Sequence, residues 1–325
     1  MKSILVTGGA GYIGSHVVRE LARSGYRPIS IDNLSKGHEE AVLDGDFVRG
    51  ELADEELLES IFQEHSVDAV MHFAALCEVA ESIEKPRLYY EQNVVNSLTL
   101  LRVMLRHDVR KFILSSTCAT YGDPQCIPID ETHPLLPINP YGESKLMVER
   151  ILREYDRDYG LSFVSLRYFN AAGASLDVQL GESHDPETHV IPRILKVAAG
   201  GLMKLQVFGD DYPTTDGTCI RDYIHVLDLA SGHVAAYQWL CEGRNSEVFN
   251  LGTGQGFSVM ELVEAIRQLT DREIPLELSD RRPGDPSHLV ADPGKAQQML
   301  KWKPEHSNVE TILSTAWAWE QNRRY

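Results

Sequence analysis

Ser3-Ile4-Leu5-Val6-Thr7-Gly8-Gly9-Ala10-Gly11-Tyr12-Ile13-Gly14 is the stretch from which the fold can be read. Its first five residues have the pattern of a short apolar strand, and from Tyr12 to Arg23 the apolar residues recur at helical spacing. Between the two, Gly8, Gly11 and Gly14 make a tight strand-to-helix turn, spaced more loosely than G-x-G-x-x-G. A turn of this kind aims backbone N–H groups and a helix dipole at an anion. In a strand-turn-helix setting that anion is the pyrophosphate of a dinucleotide. Arg27-Pro28-Ile29-Ser30-Ile31-Asp32 then ends a second strand on a carboxylate, at an offset of roughly twenty residues. Asp32 would accept from an adenosine ribose 2′-OH and repel a 2′-phosphate, so NAD is the expected cofactor rather than NADP.

Outward from this turn the first half alternates strand and helix. Phe47-Val48-Arg49, Ala69-Val70-Met71-His72-Phe73, Lys111-Phe112-Ile113-Leu114-Ser115 and Ser162-Phe163-Val164-Ser165-Leu166-Arg167 read as strands. Helical patterns fill Asp54 to Glu64, Pro86 to His107 and Tyr141 to Tyr159. Alternating units with near-continuous apolar strands predict an α/β protein with a doubly wound parallel sheet. Beyond Asn170 the rhythm breaks into polar, glycine-interrupted and turn-rich segments, ending in a helix that bears Trp317 and Trp319. The expected division is a dinucleotide-binding domain over 1–170, with 220–250 interleaved, and a smaller C-terminal α/β lobe over 171–325 that holds substrate. Repeats and low-complexity tracts are absent from the pattern.

Bulk properties narrow the class. A chain of 325 residues buries about 75% of its extended surface and needs no staples. A net charge of −17 argues against nucleic-acid binding, which calls for clustered basic surface. Five cysteines, scattered and without a C-x-x-C pair, fit reduced thiols rather than a disulfide framework. With the glycine turn already at position 8 there is no room for a signal peptide, and no apolar run reaches spanning length. The expectation is a cytoplasmic enzyme with no membrane partner. The histidines show no metal-ligand spacing, so no metal site is assigned and His72 and His225 are read as structural.

The chemistry rests on Tyr141-Gly-Glu-Ser-Lys145. With 13 tyrosines in the chain, Tyr-x-x-x-Lys alone would occur by chance about half the time, so its weight comes from the glycine turn upstream. The two side chains stand one helical turn apart on one face. A free tyrosine titrates near pH ~10. One cation at about 4 Å, in an effective dielectric near 20, contributes roughly 4 kcal/mol, or about three pKa units. Lys145, aided by a positive nicotinamide ring, can thus make a phenolate able to take a proton from a sugar hydroxyl. Ser115-Ser116-Thr117 ends a strand where ligands of such sheets bind, and the Thr117 hydroxyl can orient the substrate's hydroxyl.

The glycine turn, Asp32, Thr117 and the Tyr141/Lys145 pair resemble the extended short-chain dehydrogenase/reductase family, whose fold is a Rossmann sheet. Leu166-Arg167-Tyr168-Phe169-Asn170-Ala171-Ala172-Gly173, the segment Phe208 to Thr218, Arg221-Asp222-Tyr223-Ile224-His225-Val226, Phe249 to Gly254 and Arg281-Arg282-Pro283-Gly284-Asp285 are similar to its nucleotide-sugar epimerising members, over nearly the whole chain. The resemblance implies interconversion of UDP-glucose and UDP-galactose on tightly held NAD, through a transient 4-keto sugar. It implies NAD contacts from Gly8, Gly11, Tyr12, Ile13, Gly14, Asp32, Asn33, Glu51, Leu52, Phe73, Ala74, Ala75, Asn93, Ser115, Tyr141, Lys145 and Tyr168. For the UDP-sugar it implies Thr117, Phe169, Asn170, His189, Val190, Gln206, Phe208, Arg221, Arg282, Asp285 and Leu289, the arginines supplying local positive charge in an acidic chain. A homodimer through the helices around 89–107 and 141–159 is also implied.

Departures from the family pattern are few. Thr117 replaces a common serine, Glu51 an aspartate near the adenine, Cys77 a lysine and His189 an amide. Leu289 lies where some members carry a tyrosine beside the sugar's C2 substituent, which leaves room for an N-acetyl group and raises activity on UDP-GlcNAc and UDP-GalNAc as an expectation. Related dehydratases and decarboxylases place a carboxylate after the Ser/Thr, where this chain has Cys118 and Ala119. A non-catalytic NAD sensor would be expected to lack the Tyr/Lys pair.

Overall fold

In the computed structural model, which describes residues 1–282 and 284–325, strand β1 (Ser3–Thr7) is buried along its length and runs into helix α1 (Tyr12–Arg23). Strands β2 (Arg27–Asp32) and β3 (Asp46–Arg49) lie to one side of β1. Helix α2 (Glu55–Glu64) begins where the Asp54 carboxylate accepts from Leu57 N, and β4 (Val67–His72) follows on the other side of β1. Helices α3 (Val79–Glu84) and α4 (Pro86–Tyr89) pass through a π-helical turn, Tyr90–Val95, into α5 (Asn96–Arg106). The expected single helix over 86–107 is therefore interrupted, and Asn93 sits inside the wide turn, a feature frequent at functional sites.

Next come β5 (Lys111–Thr117), α6 (Pro140–Tyr159) and β6 (Ser162–Tyr168). Asn139 caps α6 by accepting from Gly142 N, Pro140 opens it, and Gly160 in the left-handed region ends it. Strand β7 (Asn170–Ala172), helix α7 (Val190–Ala198) and strands β8 (Leu205–Phe208) and β9 (Ile220–His225) leave the main sheet. Helix α8 (Val226–Cys241) and β10 (Glu247–Leu251) return to it. The chain closes with β11 (Gly256–Ser258), α9 (Val259–Thr270), β12 (Leu276–Ser279), β13 (His288–Leu289), α10 (Gly294–Met299) and α11 (Val309–Gln321).

The main sheet has the order β10-β6-β5-β4-β1-β2-β3 and is parallel throughout. The chain builds outward from β1 in one direction and from β4 in the other, so β1 and β4 bound the switch point, where a crevice opens at the carboxyl ends of the strands. One apolar core, including Val17, Leu21, Leu229 and Phe249, packs α1 and α8 on one face. A second, including Leu58, Leu100, Met104 and Leu152, packs α2, α5 and α6 on the other. A third core, around Ile194, Val263 and Leu313, belongs to the smaller lobe. There β9 pairs with β7, β11 and β13, and β8 pairs with β12. No helix among the described residues is long and apolar enough to cross a membrane.

Candidate active site

The switch point gathers the ends of β1, β2, β4, β5 and β6 with the first turns of α1 and α6. Gly8 has φ +72°, and a Cβ there would stand 2.7 Å from Ala74 N. A Cβ on Gly14 would stand 2.1 Å from Gly8 O, so helix α1 can close on the turn only with glycine at that position. Gly11 is the N-cap of α1 and offers no side-chain cap, which leaves the first-turn N–H groups of Tyr12, Ile13 and Gly14 for an anion. Tyr12 itself donates to Gly173 O at 2.6 Å, tying α1 to the loop after β7.

Asp32 is buried, and its carboxylate accepts from Ala10 N at 3.1 Å and Leu34 N at 2.8 Å. Burial raises its pKa, while those two N–H groups oppose the rise. Asn33 donates to both oxygens of Glu51 at 3.1 Å, and Leu52 is buried beside them. Phe73 and Ala74 hang from Thr7 O through their N–H groups at 2.9 and 3.1 Å, and Ala75 follows, half-buried. The first-turn N–H groups and the buried Asp32 carboxylate are the groups that could hold the pyrophosphate and adenosine ribose of NAD.

Tyr141 and Lys145 lie on the first turns of α6, facing the end of β5. Lys145 is 3% exposed, and its Nζ donates to Ser115 O at 2.8 Å. Burial pushes its pKa down to about 8, against the pull of Cys77 and Glu149. Burial also raises Tyr141 well above 10, while the Thr117 hydroxyl beside it works in the opposite direction. The Lys145 ammonium, one helical turn along α6 from the Tyr141 ring, bonds the Ser115 carbonyl. Thr117 is buried at the end of β5 and its Oγ1 accepts from Ala119 N at 3.1 Å. Ser115 Oγ and Tyr168 Oη form a short hydrogen bond beside it.

Three expected ligand contacts are taken up by the protein itself. Asn93 accepts from Leu76 N at 2.8 Å and donates to Leu76 O and Ser144 Oγ, both at 3.0 Å, so its amide clamps the 76 loop to α6. Arg221 donates to Asp285, Pro286 O, Ile220 O and Ser287 O, which ties it to the 285–287 loop. His189, the N-cap of α7 just before Val190, places Nδ1 2.5 Å from Glu182 Oε1.

The remaining candidates make contacts of their own. Arg282 lies 3.9 Å over the Phe208 ring and is exposed. Gln206 donates to Ser279 Oγ at 2.9 Å, and Asn170 to Asp222 O at 3.1 Å. Phe169 and Leu289 are buried in a small apolar cluster with Cys118, Tyr121, Ile129 and Ala291. Burial pushes the Cys118 thiol up to about 12, which leaves it neutral.

Sequence reading missed two groups. Glu182, His184, Glu187 and His189 bring their donor atoms together although no metal spacing was recognised. The signal was present as Glu-x-His-x-x-Glu-x-His. Burial lowers the pKa of His184, but the carboxylates of Glu182 and Glu187 outweigh it and raise it to about 9. The second group is the buried Arg167–Glu149 pair beneath Thr117. By contrast, His72 lies between Thr7 Oγ1 and Ser97 Oγ, at 2.8 and 3.0 Å, and burial lowers its pKa to about 3.

The family profile described as the NAD dependent epimerase/dehydratase family matches residues 4–252. A UDP-glucose 4-epimerase of Halalkalibacterium halodurans is 51% identical over 319 residues, covering 98% of this chain and 96% of that protein. The crystal structure of UDP-glucose 4-epimerase from Brucella ovis in complex with NAD is 49% identical, with TM-score 0.95 and 98% of each chain covered. The UDP-Glc/GlcNAc 4-epimerase of Campylobacter jejuni is 44% identical, with TM-score 0.85 and 99% of each chain covered. The chain belongs to the NAD dependent epimerase/dehydratase family, among its UDP-glucose 4-epimerases.

Proposed function

We propose that the chain interconverts UDP-glucose and UDP-galactose by inverting C4 through a transient 4-keto sugar. The observation that carries this reading is the convergence of Tyr141, Lys145 and Thr117 at the switch point, beside the groups that could hold NAD. Bound NAD supplies reversible oxidation at C4. Tyr141 takes the 4-OH proton and later returns it, and the Thr117 hydroxyl holds that oxygen in line. Arg282 over Phe208 supplies local positive charge for the diphosphate, and gripping UDP leaves the sugar free to turn over while it stays bound. The apolar wall of Phe169 and Leu289 gives a 4-keto ring no hydrogen bond that would hold it in one orientation.

A dehydratase or decarboxylase reading needs a second proton-transfer group after Thr117. Cys118 with its raised pKa and Ala119 offer none. The deciding experiment incubates purified protein with UDP-galactose, without added NAD, and separates the products. UDP-glucose accumulating to a fixed ratio is expected; a product lighter by water or CO2 would overturn the assignment.

Leu289 sets a second expectation. It is 9% exposed and packs on Phe169, and its side chain is smaller than a tyrosine. Activity on UDP-GlcNAc is expected, with kcat/KM within about 100-fold of UDP-glucose. Leu289→Tyr is expected to cut the UDP-GlcNAc value by a further ~100-fold and the UDP-glucose value by less than about threefold. Wild-type kcat/KM for UDP-GlcNAc thousands of times below that for UDP-glucose would remove this part of the reading.

We also infer a homodimer through the helical segments 89–107 and 141–159, on the exposed apolar side chains Val95 in the π-helical turn and Tyr159 at the end of α6. Light scattering at micromolar concentration should give twice the chain mass of 36.5 kDa; a monomer mass would refute it.

A further inference from the structure

The segment between β7 and α7 carries a constellation apart from Tyr141, Lys145 and Thr117, one member of which, His189, is also an expected UDP-sugar contact. Glu182, His184, Glu187 and His189 each place one donor atom within 4.8 Å of the other three. His184 Nδ1 is 3.3 Å from Glu182 Oε1 and 3.8 Å from Glu187 Oε2. His189 Nδ1 is 2.5 Å from Glu182 Oε1 and 3.6 Å from Glu187 Oε1. Donor atoms around a tetrahedral ion with bonds of about 2.0–2.1 Å stand about 3.3 Å apart. Three of these four His–Glu distances are close to that spacing, the two to Glu187 being to its two different oxygens, and the fourth would open by less than about 1 Å.

The second observation is independent of spacing. Glu182 is 5% exposed and Glu187 is 8% exposed. Even so, Glu182 Oε1, His184 Nδ1 and Glu187 Oε2 are buried without a hydrogen-bond partner. These atoms stand at ion-pairing distance from one another without hydrogen-bond geometry, facing a shared space. Leaving buried carboxylate oxygens in that condition is unfavourable unless a cation sits among them.

The surrounding frame holds the four residues in place. Glu187 Oε1 accepts from Thr188 N at 2.9 Å and His189 N at 3.0 Å. Trp319 Nε1 donates to Glu182 O at 2.8 Å, and Thr188 Oγ1 donates to Glu78 Oε1 at 3.2 Å. Ligands supported in this way are oriented before an ion arrives.

We propose that Glu182, His184, Glu187 and His189 bind one divalent transition-metal ion of the zinc type per chain. Two imidazoles select such an ion over magnesium or calcium, which prefer oxygen ligands throughout. The two carboxylates neutralise its charge. The His189 side chain, 50% exposed, is the way in for the ion from solvent. The ion would pin the 182–189 segment beside the glycine turn, where the His184 and Tyr12 rings lie 6.4 Å apart, edge to face.

The test uses the purified full-length protein, stripped with a chelator and titrated at pH ~8 with Zn²⁺ by calorimetry and with Co²⁺ by visible absorption. One ion per chain is expected, with Kd below about 1 µM and the strong visible bands of four-coordinate Co²⁺. His184→Ala and Glu187→Gln are each expected to weaken binding at least about 100-fold. Glu187→Gln keeps the side chain's size, so it carries the test if His184→Ala fails to fold. Wild-type binding weaker than about 100 µM, or tight binding unchanged in both variants, overturns the proposal and leaves the cluster as an ion network held by protons.

Discussion

Tyr141→Phe is expected to lower kcat for UDP-galactose by about 10³-fold, with KM changed less than about threefold. The substitution removes one oxygen from a partly buried ring and leaves the packing in place, so the loss isolates proton transfer. Burial raises the phenol's pKa well above 10, and Lys145 donates to Ser115 O rather than to the ring oxygen. Without further charge the phenol is a poor base at neutral pH. A positively charged nicotinamide, when NAD is bound, would supply that charge. At about 4 Å and an effective dielectric near 20, one such charge is worth roughly 4 kcal/mol, or about three pKa units.

The sign of the pH dependence follows. The phenol works when deprotonated, so wild-type kcat rises as pH rises through its cofactor-bound pKa. Tyr141→Phe should lose that ascending limb along with the rate. Tyrosinate absorbance in wild type should grow when NAD is restored to stripped protein, and should not in the variant. A residual kcat within tenfold of wild type, or an unchanged ascending limb, would remove Tyr141 from its role.

What could be read from the chain beforehand was local. The strand at 3–7, the glycine turn and the helix from Tyr12 are set by apolar spacing and by the one conformation Gly8 must adopt, and all three are found as expected. The parallel sheet follows from alternation, which the near-continuous apolar strands display. The π-helical turn at Tyr90–Val95 left no such mark, because Asn93 is drawn to Leu76 and Ser144 by contacts across 17 and 51 residues. The engagement of Arg221 by the 285–287 loop was equally hidden, since β13 must first pair with β9 to bring that loop close. The four donors at 182–189 were near in sequence but read as polar loop, and only burial of both carboxylates distinguishes them from one. Residue chemistry was visible wherever it depended on neighbours in the chain, and obscure wherever a distant segment had claimed the side chain.

Glu149→Ala is expected to destabilise the protein by about 3–5 kcal/mol, because it strands a buried guanidinium. Arg167 and Glu149 have side chains 1% and 0% exposed. Arg167 Nε donates to Glu149 Oε1 at 2.9 Å, and its Nη2 to Oε2, a bidentate pair beneath the catalytic strand. Ser116 Oγ donates to the same Oε1 at 2.6 Å, and Arg167 Nη1 donates to Tyr121 Oη at 3.1 Å. Tyr121 donates on to Asn250 Oδ1 at 2.7 Å, so the network joins α6, β5, β6 and β10. Two consequences separate a buried ion pair from ordinary packing. Replacing both partners, as Glu149→Met with Arg167→Met, should cost less than Glu149→Ala alone, since no charge is then left unpaired. Ser116 adjoins Thr117, and Lys145 stands one turn before Glu149 on α6, so Glu149→Ala should also lower kcat while the double variant recovers part of it. Denaturant unfolding of the three proteins measures the first effect and initial rates the second. A Glu149→Ala cost below about 1 kcal/mol, or a double variant less stable than the single one, would mean that water reaches the pair and that the network does not hold the catalytic strand to its helix.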